Sequence, residues 1–396
     1  MISDTRWLLP DGIDELLPER AAAVERLRRA LLDDCERWGY RLVMPPLVEF
    51  TDSLLVGLGA DLDQVTCKFS DRVSGKTLGV RADITPQVAR IDAHSLNESG
   101  ITRLCYAGST LKSVADSALS GRSPVQLGAE LYGSDDLAAD REIIGLMLSL
   151  LDRAGLAGTH LPVTLDIGHV GVYQALAAAF APDVDLEEQI FDVLQRKSVP
   201  DLQAITGALP SAFGQALEAL MGLHGGAEVL PQAAQALGQI PGVSEALDQV
   251  QEVVEAVSAA FPDVGVYIDL AELRGFRYHT GLVFAAYVEG VGTALAKGGR
   301  YDNVGDVFGR NRPATGFAFD LKVLIGCLAA EPDRGVCVSA PLLEDEALAI
   351  AVAELREQGH VVVVAIGGEH DPRCSEQLVC RDGAWVLETI ARREPS

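Results

Sequence analysis

Residues 80–90 read VRADITPQVAR, and residues 106–133 read YAGSTLKSVADSALSGRSPVQLGAELYG. In the first stretch, Pro86 follows Thr85 at the point where a helix would open, because proline is tolerated at a helix's first turn. In the second, strand-like runs at residues 103–107 and 124–132 are separated by a loop of small and polar residues. Two further blocks lie far downstream, LRGFRYHTG at residues 273–281 and KGGRYDNV at residues 297–304. Together the four blocks supply several carboxylates, arginines and hydroxyl or ring groups. An α-amino acid carries an ammonium and a carboxylate, so a pocket for one needs buried acids together with an arginine or a helix terminus.

The surrounding sequence predicts an α+β fold. Residues 18–38 carry apolar side chains at Val24, Leu27, Ala30, Leu31 and Cys35 with charge opposite, a helical stripe stopped by Gly39. Residues 41–44 read as a strand broken by Pro45 and Pro46, and further strands are predicted at 68–71, 77–80 and 162–167. Residues 140–154 form a second amphipathic helix ending at Gly155. This mixture predicts an antiparallel sheet flanked by helices. Composition then shifts: residues 170–262 are rich in Ala, Leu, Gln and Glu, broken by prolines and glycines into short helices. Residues 264–268 return to a strand pattern. A tail beyond residue 333 reads strand (336–339), helix (344–358), strand (361–366) and two short strands near Leu378 and Trp385. The expected organisation is a core of residues 1–169 and 263–332, a helical insertion at 170–262 and a small α/β domain at 333–396.

Charge narrows the function. Asp and Glu number 57 against 32 Lys and Arg, a formal net charge of −25. Nucleic-acid binding relies on cations that displace phosphate counterions, so tRNA is a poor expectation as a partner. The longest apolar runs, such as residues 361–366, are too short to span a bilayer. The N-terminus lacks a basic stretch followed by an apolar core, and the seven scattered cysteines show no CxxC pair, which predicts reduced thiols in a cytoplasmic protein. Histidines at positions 94, 160, 169, 224, 279, 360 and 370 are dispersed, so no metal and no cofactor are expected.

In order and spacing, the four blocks resemble the active-site blocks of the histidyl-tRNA synthetases, a class II aminoacyl-tRNA synthetase family, and in particular its paralogues that serve as regulatory subunits of ATP phosphoribosyltransferase. The helix at 18–38, the following strand and Glu49 resemble class II motif 1, a dimerisation element. The resemblance implies that Asp83, Thr85 and Gln126 hold the amino acid's ammonium, with Asp83 one methylene shorter than the family's glutamate. It places Glu130 beside the imidazole of a bound histidine, Arg274 near the carboxylate, and Tyr278, His279 and Tyr301 in the walls, with His279 replacing a tyrosine. Imidazole recognition needs one donor and one acceptor, which Glu130 and a tyrosine or histidine can supply. Each residue alone also has an ordinary reading: Asp83 as a helix cap, Gln126 and Glu130 on an exposed strand face, Gly298 and Gly299 as a turn.

The positions that grip ATP in the family are filled differently. Lys112 stands at an arginine position, Val114 at a glutamate that holds the nucleotide, Ala115 at a further arginine, and Lys322-Val323 replace Glu-Arg. Arg122 is the one basic member left in the loop at 116–124. Losing one preorganised donor costs ~10²–10³ in rate, so adenylation is expected to be lost. The resemblance implies a non-catalytic regulatory subunit in a hetero-octamer with the short catalytic transferase, a homodimer through motif 1, and L-histidine as effector. The alternatives are an active amino-acid-activating synthetase and a protein-binding scaffold with a vestigial pocket.

Overall fold

The computed structural model describes residues 7–55, 59–115, 121–156, 162–273, 278–328 and 336–390, in two compact units, Met1–Ala329 and Ala330–Ser396. In the first unit the strands are β1 (Arg41–Leu42), β2 (Val48–Phe50), β3 (Cys67–Ser70), β4 (Thr77–Val80), β5 (Thr102–Ser109) and β6 (Val125–Tyr132). They are followed by β7 (Val163–His169), β8 (His224–Gly225), β9 (Gly265–Asp269), β10 (Leu282–Val288), β11 (Ala296–Arg300) and β12 (Ala314–Asp320). Among the described residues nine of them form one sheet in the order β1-β5-β6-β12-β11-β10-β7-β9-β8, and β2-β4-β3 form a second, three-stranded sheet. The large sheet is antiparallel except where β1 joins β5 and β7 joins β9. The strand predicted at 41–44 ends at Leu42: Val43 N–H makes one last bond to Cys105 O, and Pro45 and Pro46, which have no N–H to donate, follow.

Strand alternation divides β6 between two environments. Leu127, Ala129 and Leu131 join the main core, whereas Gln126 and Glu130 line a pocket on the opposite face. The core side is covered by the helix Pro18–Arg37, which buries Val24, Leu27, Leu31 and Cys35 as its sequence stripe predicts, with Ala23 taking the buried place expected of Ala30. The helix Leu137–Arg153 packs beside it. Asp136 caps its first turn by accepting from Ala138 N–H at 2.8 Å, and its buried face carries Ile143, Ile144, Met147, Leu150 and Leu151. Each such side chain contributes roughly 1.5–3 kcal/mol on burial. The helix predicted at Thr85 opens there but passes from α (Thr85–Arg90) to a π turn (Ile91–Leu96).

The segment expected as a helical insertion runs through helices from Val170 to Ala260, interrupted by the short strand β8 that pairs with β9, and its buried residues (Leu217, Leu220, Val250 and Val253 among them) belong to the same core cluster as the sheet. In the second unit, β13 (Cys337–Pro341), β14 (Val361–Ala365), β15 (Glu376–Arg381) and β16 (Ala384–Thr389) form a sheet in the order β14-β13-β15-β16, with the helix Glu346–Glu357 packed on it. Among the described residues no helix is long and apolar enough to cross a membrane.

Candidate functional site

The hairpin of β5 and β6 sets the site's floor. Its register puts Tyr106 opposite Gly128 and Leu104 opposite Glu130, so Tyr106 and Glu130 rise on the same face. Glu130 is 1% exposed, which removes it from the exposed strand face that its sequence also allowed. A buried carboxylate needs donors, and it has two: Tyr106 OH donates to Oε1 at 3.0 Å, and Tyr301 OH, just beyond β11, donates to Oε2. Burial dominates even so, and Glu130 is pushed up to about 8 against the pull of the tyrosines. Burial, reinforced by the negative potential of Glu130, likewise raises Tyr106, Tyr278 and Tyr301 well above the ordinary phenol range.

Two glycines permit this packing. A Cβ on Gly316 of β12 would collide with the Glu130 carboxylate, and one on Gly128 would collide with the Tyr106 ring and Phe317 O. The walls are aromatic: Tyr278 stacks on Tyr301 with centroids 4.9 Å apart, and His279 stands edge-on to Tyr278 at 5.3 Å. The buried Tyr278 hydroxyl has no hydrogen-bond partner among the described residues, although it lines the pocket. A buried donor of that kind is satisfied when a polar ligand occupies the space.

A second group sits at the start of the helix Thr85–Arg90. Gln126 Oε1 accepts from Ile84 N–H at 2.9 Å, while its amide donates to Asp83 Oδ1 at 3.0 Å. The same Asp83 oxygen accepts from Thr85 N–H at 2.8 Å; the helix's N-cap residue is Ile84, with no side-chain cap, so Asp83 is not the cap its sequence also allowed and lines the pocket instead. Thr85 Oγ1 lies 3.0 Å from Tyr106 OH, which joins this group to Glu130.

Asp83, Thr85, Gln126, Glu130, Tyr278, His279 and Tyr301 therefore line one cavity of about 390 Å³. Arg274 lies outside the described residues. Sequence reasoning missed four other contributors to this wall: Tyr106 through its bond to Glu130, and Asp166, Glu272 and Lys297 directly. Asp166 left a signal, since it is the charged residue of VTLDIGH whose neighbours Leu165 and Ile167 are fully buried. Its carboxylate approaches those of Asp269 and Glu272 within 4.8 Å, and the Lys197 ammonium pairs with Asp269. That ammonium already neutralises part of the cluster.

The nucleotide-gripping positions lie apart, around a neighbouring recess of about 150 Å³ lined by Lys112, Val323, Asp320 and Thr110. No arginine lines it among the described residues. Val114 is exposed. Arg122 is committed elsewhere, donating to Lys112 O at 3.0 Å and Asp11 O at 3.1 Å. Lys322 donates to Asp14 at 2.8 Å and Ser123 at 3.2 Å. Residues 116–120 of the intervening loop lie outside the described residues.

Comparison with known proteins bears directly on this arrangement. Residues 12–324 match the family of histidyl-tRNA synthetase, and residues 335–388 match the C-terminal domain of ATP phosphoribosyltransferase subunit HisZ. A protein of Ectopseudomonas mendocina named ATP phosphoribosyltransferase regulatory subunit is 48% identical, over 99% of this chain and 100% of its own length. One of the same name from Chromohalobacter salexigens is 49% identical, over 98% and 99%. The chain belongs to the family of ATP phosphoribosyltransferase regulatory subunits. Among solved structures, an ATP phosphoribosyltransferase regulatory subunit/histidyl-tRNA synthetase from Bacillus halodurans superposes with a TM-score of 0.81 at 28% identity, covering 94% of this chain and 96% of that one. This chain thus matches the synthetase family over residues 12–324, and the α/β tail expected from the sequence is the part that matches the HisZ C-terminal domain.

Proposed function

We propose that this chain is the non-catalytic regulatory subunit of a cytoplasmic ATP phosphoribosyltransferase, the first enzyme of histidine biosynthesis, and that its pocket senses L-histidine. The observation that carries the reading is the asymmetry between two adjoining sites. The amino-acid side brings together, among the described residues, a buried acid, two tyrosine donors and an Asp–Gln–Thr cluster. The nucleotide side has lysine and valine where phosphate chemistry needs arginines, and its remaining cations are tied to Asp14, Ser123 and backbone carbonyls.

In this reading Asp83, Gln126 and Thr85 receive the ammonium of histidine, and Arg274 its carboxylate. Glu130 accepts one imidazole N–H, and the Tyr278 hydroxyl donates to the other nitrogen, which gives that hydroxyl its partner. The chain pairs with itself through the motif 1 helix and with a short catalytic transferase in a hetero-octamer, activating catalysis and conferring feedback inhibition. Allostery requires only that histidine bind one state of that complex more tightly than the other, with a coupling of ~1–3 kcal/mol. No tRNA enters this scheme, in keeping with the net charge of −25.

The test is reconstitution. Adding the purified chain to the short transferase raises its turnover and makes it histidine-sensitive; unchanged turnover and sensitivity would sink the proposal. Titration calorimetry with L-histidine and with ATP separates the alternatives. Heat with histidine alone supports a sensor, tight ATP binding supports an amino-acid-activating enzyme, and silence with both supports a scaffold with a vestigial pocket.

A further inference from the structure

The C-terminal unit holds a pair of thiols that the pocket does not use. Cys337 Sγ and Cys374 Sγ stand 2.8 Å apart, closer than two non-bonded sulfurs rest comfortably. Their backbones are already in place. Cys337 opens β13, and its carbonyl accepts from Ser375 N–H at 3.0 Å; Cys374 N–H is held by Asp371 O at 2.9 Å. One residue further on, β13 and β15 run parallel with Val338 opposite Glu376. Cys337 is fixed by β13 and Cys374 by the turn that leads into β15, whose Ser375 N–H bonds to Cys337 O, so the two side chains meet across a hydrogen-bonded joint. Cys374 is 9% exposed and Cys337 is half-buried, whereas Cys380, six residues beyond Cys374, is exposed and has no such partner among the described residues.

We propose that Cys337 and Cys374 are a modification site, a vicinal thiol pair that low-molecular-weight disulfides convert reversibly into an intramolecular disulfide. The more accessible Cys337, as thiolate, attacks one sulfur of a disulfide RSSR, forming a mixed disulfide and releasing RS⁻. Cys374 then loses its proton to solvent and attacks the Cys337 sulfur, expelling the second RS⁻. Two thiols are oxidised, one RSSR is reduced to two RSH, and a thiol reductant reverses the exchange. Burial raises the Cys374 thiol to about 12, which suits it to the second, intramolecular step, where proximity replaces a high thiolate fraction.

The cross-link has a structural consequence. The unit's core is small, built on Val338, Ala340, Leu348, Val352, Val362 and Leu378. A bridge from 337 to 374 encloses the helix Glu346–Glu357 and β14, and so restricts the unfolded chain where the core has least to give.

The test uses the full-length chain with Cys380→Ser, because Cys374 and Cys380 share one tryptic peptide between Arg373 and Arg381. The protein is exposed to glutathione disulfide at a level that modifies the half-buried Cys67, then quenched, alkylated and digested. The expected product joins the peptides of residues 335–356 and 374–381, lighter by two hydrogens, and dithiothreitol releases it. Recovery of both cysteines alkylated, or each carrying its own glutathione, would overturn the proposal. A second readout is the melting of the C-terminal unit followed by Trp385 in a Trp7→Phe, Trp38→Phe background. Oxidation shifts it upward by several degrees in the Cys380→Ser protein and leaves it unmoved when Cys374→Ser is added. An equal shift in both would also overturn it.

Discussion

Replacing Glu130 with glutamine should remove a pH dependence of stability that the natural chain carries. Glu130 titrates near 8 when folded, against 4.5 for an ordinary glutamate. Between these values the unfolded chain has shed the proton and the folded chain keeps it, so stability falls as pH rises, by ~1.4 kcal/mol per unit. The interval of about 3.5 units gives a total of ~5 kcal/mol, present below pH 4.5 and lost by the time pH passes about 8. Glutamine mimics the neutral acid in shape and cannot ionise. The Glu130→Gln protein should therefore gain on the parent by up to ~5 kcal/mol as pH rises from about 5 to about 8.5, while other titrations cancel in the difference. Urea unfolding followed by Trp38 fluorescence, in a Trp385→Phe background, reports the first unit alone. A stability difference that stays flat across that range would refute the argument, because it would mean that Glu130 is ionised in the folded chain throughout.

Asp140→Ala strips Arg300 of its buried partner, to which it donates from Nε at 2.9 Å and from Nη2 at 2.5 Å, and should cost ~3–5 kcal/mol in the same urea assay. Gly316→Ala drives a methyl group into the Glu130 carboxylate and should weaken histidine binding by about 10–150-fold in calorimetry, with ordinary far-UV circular dichroism. Asp83→Ala removes both the proposed ammonium partner and the bond to Thr85 N–H; it should lose histidine affinity by a similar factor and stability by ~1 kcal/mol. Histidine-dependent ATP–pyrophosphate exchange should stay at background in the natural chain, and measurable exchange would return the adenylating reading.

The sequence was most legible where periodicity and chemistry agree. The stripe of residues 18–38 and the runs around β5, β6 and β15 announced their elements within a residue or two, because one face of each is apolar at a fixed period. Seven of the eight pocket residues named from the four blocks meet in one cavity. Those missed were of two kinds. Tyr106 carries no charge, and its role depends on the hairpin register that sets it beside Glu130. Asp166 reaches the cavity through the pairing of β7 with β10, which sets it opposite Ala285, and Glu272 follows β9, the parallel neighbour of β7; neither joint is encoded in local pattern. The π turn after Arg90 is likewise tertiary: Asp92 within it is held by Arg312, more than two hundred residues away.

The same geometry shows why the two groups of positions differ in their tolerance of substitution. Glu130, Tyr106 and Tyr301 are nearly fully buried on or beside β5, β6 and β11, and the tyrosines belong to a core cluster with Ile84, Val88 and Leu104. Substitution there unsettles the fold as well as the site, since a buried acid without its donors costs several kcal/mol. Lys112, Val114 and Val323 sit on a loop, at an exposed position and on a half-buried helix face, where replacements cost little. The buried group is therefore the harder of the two to replace and the exposed group the easier.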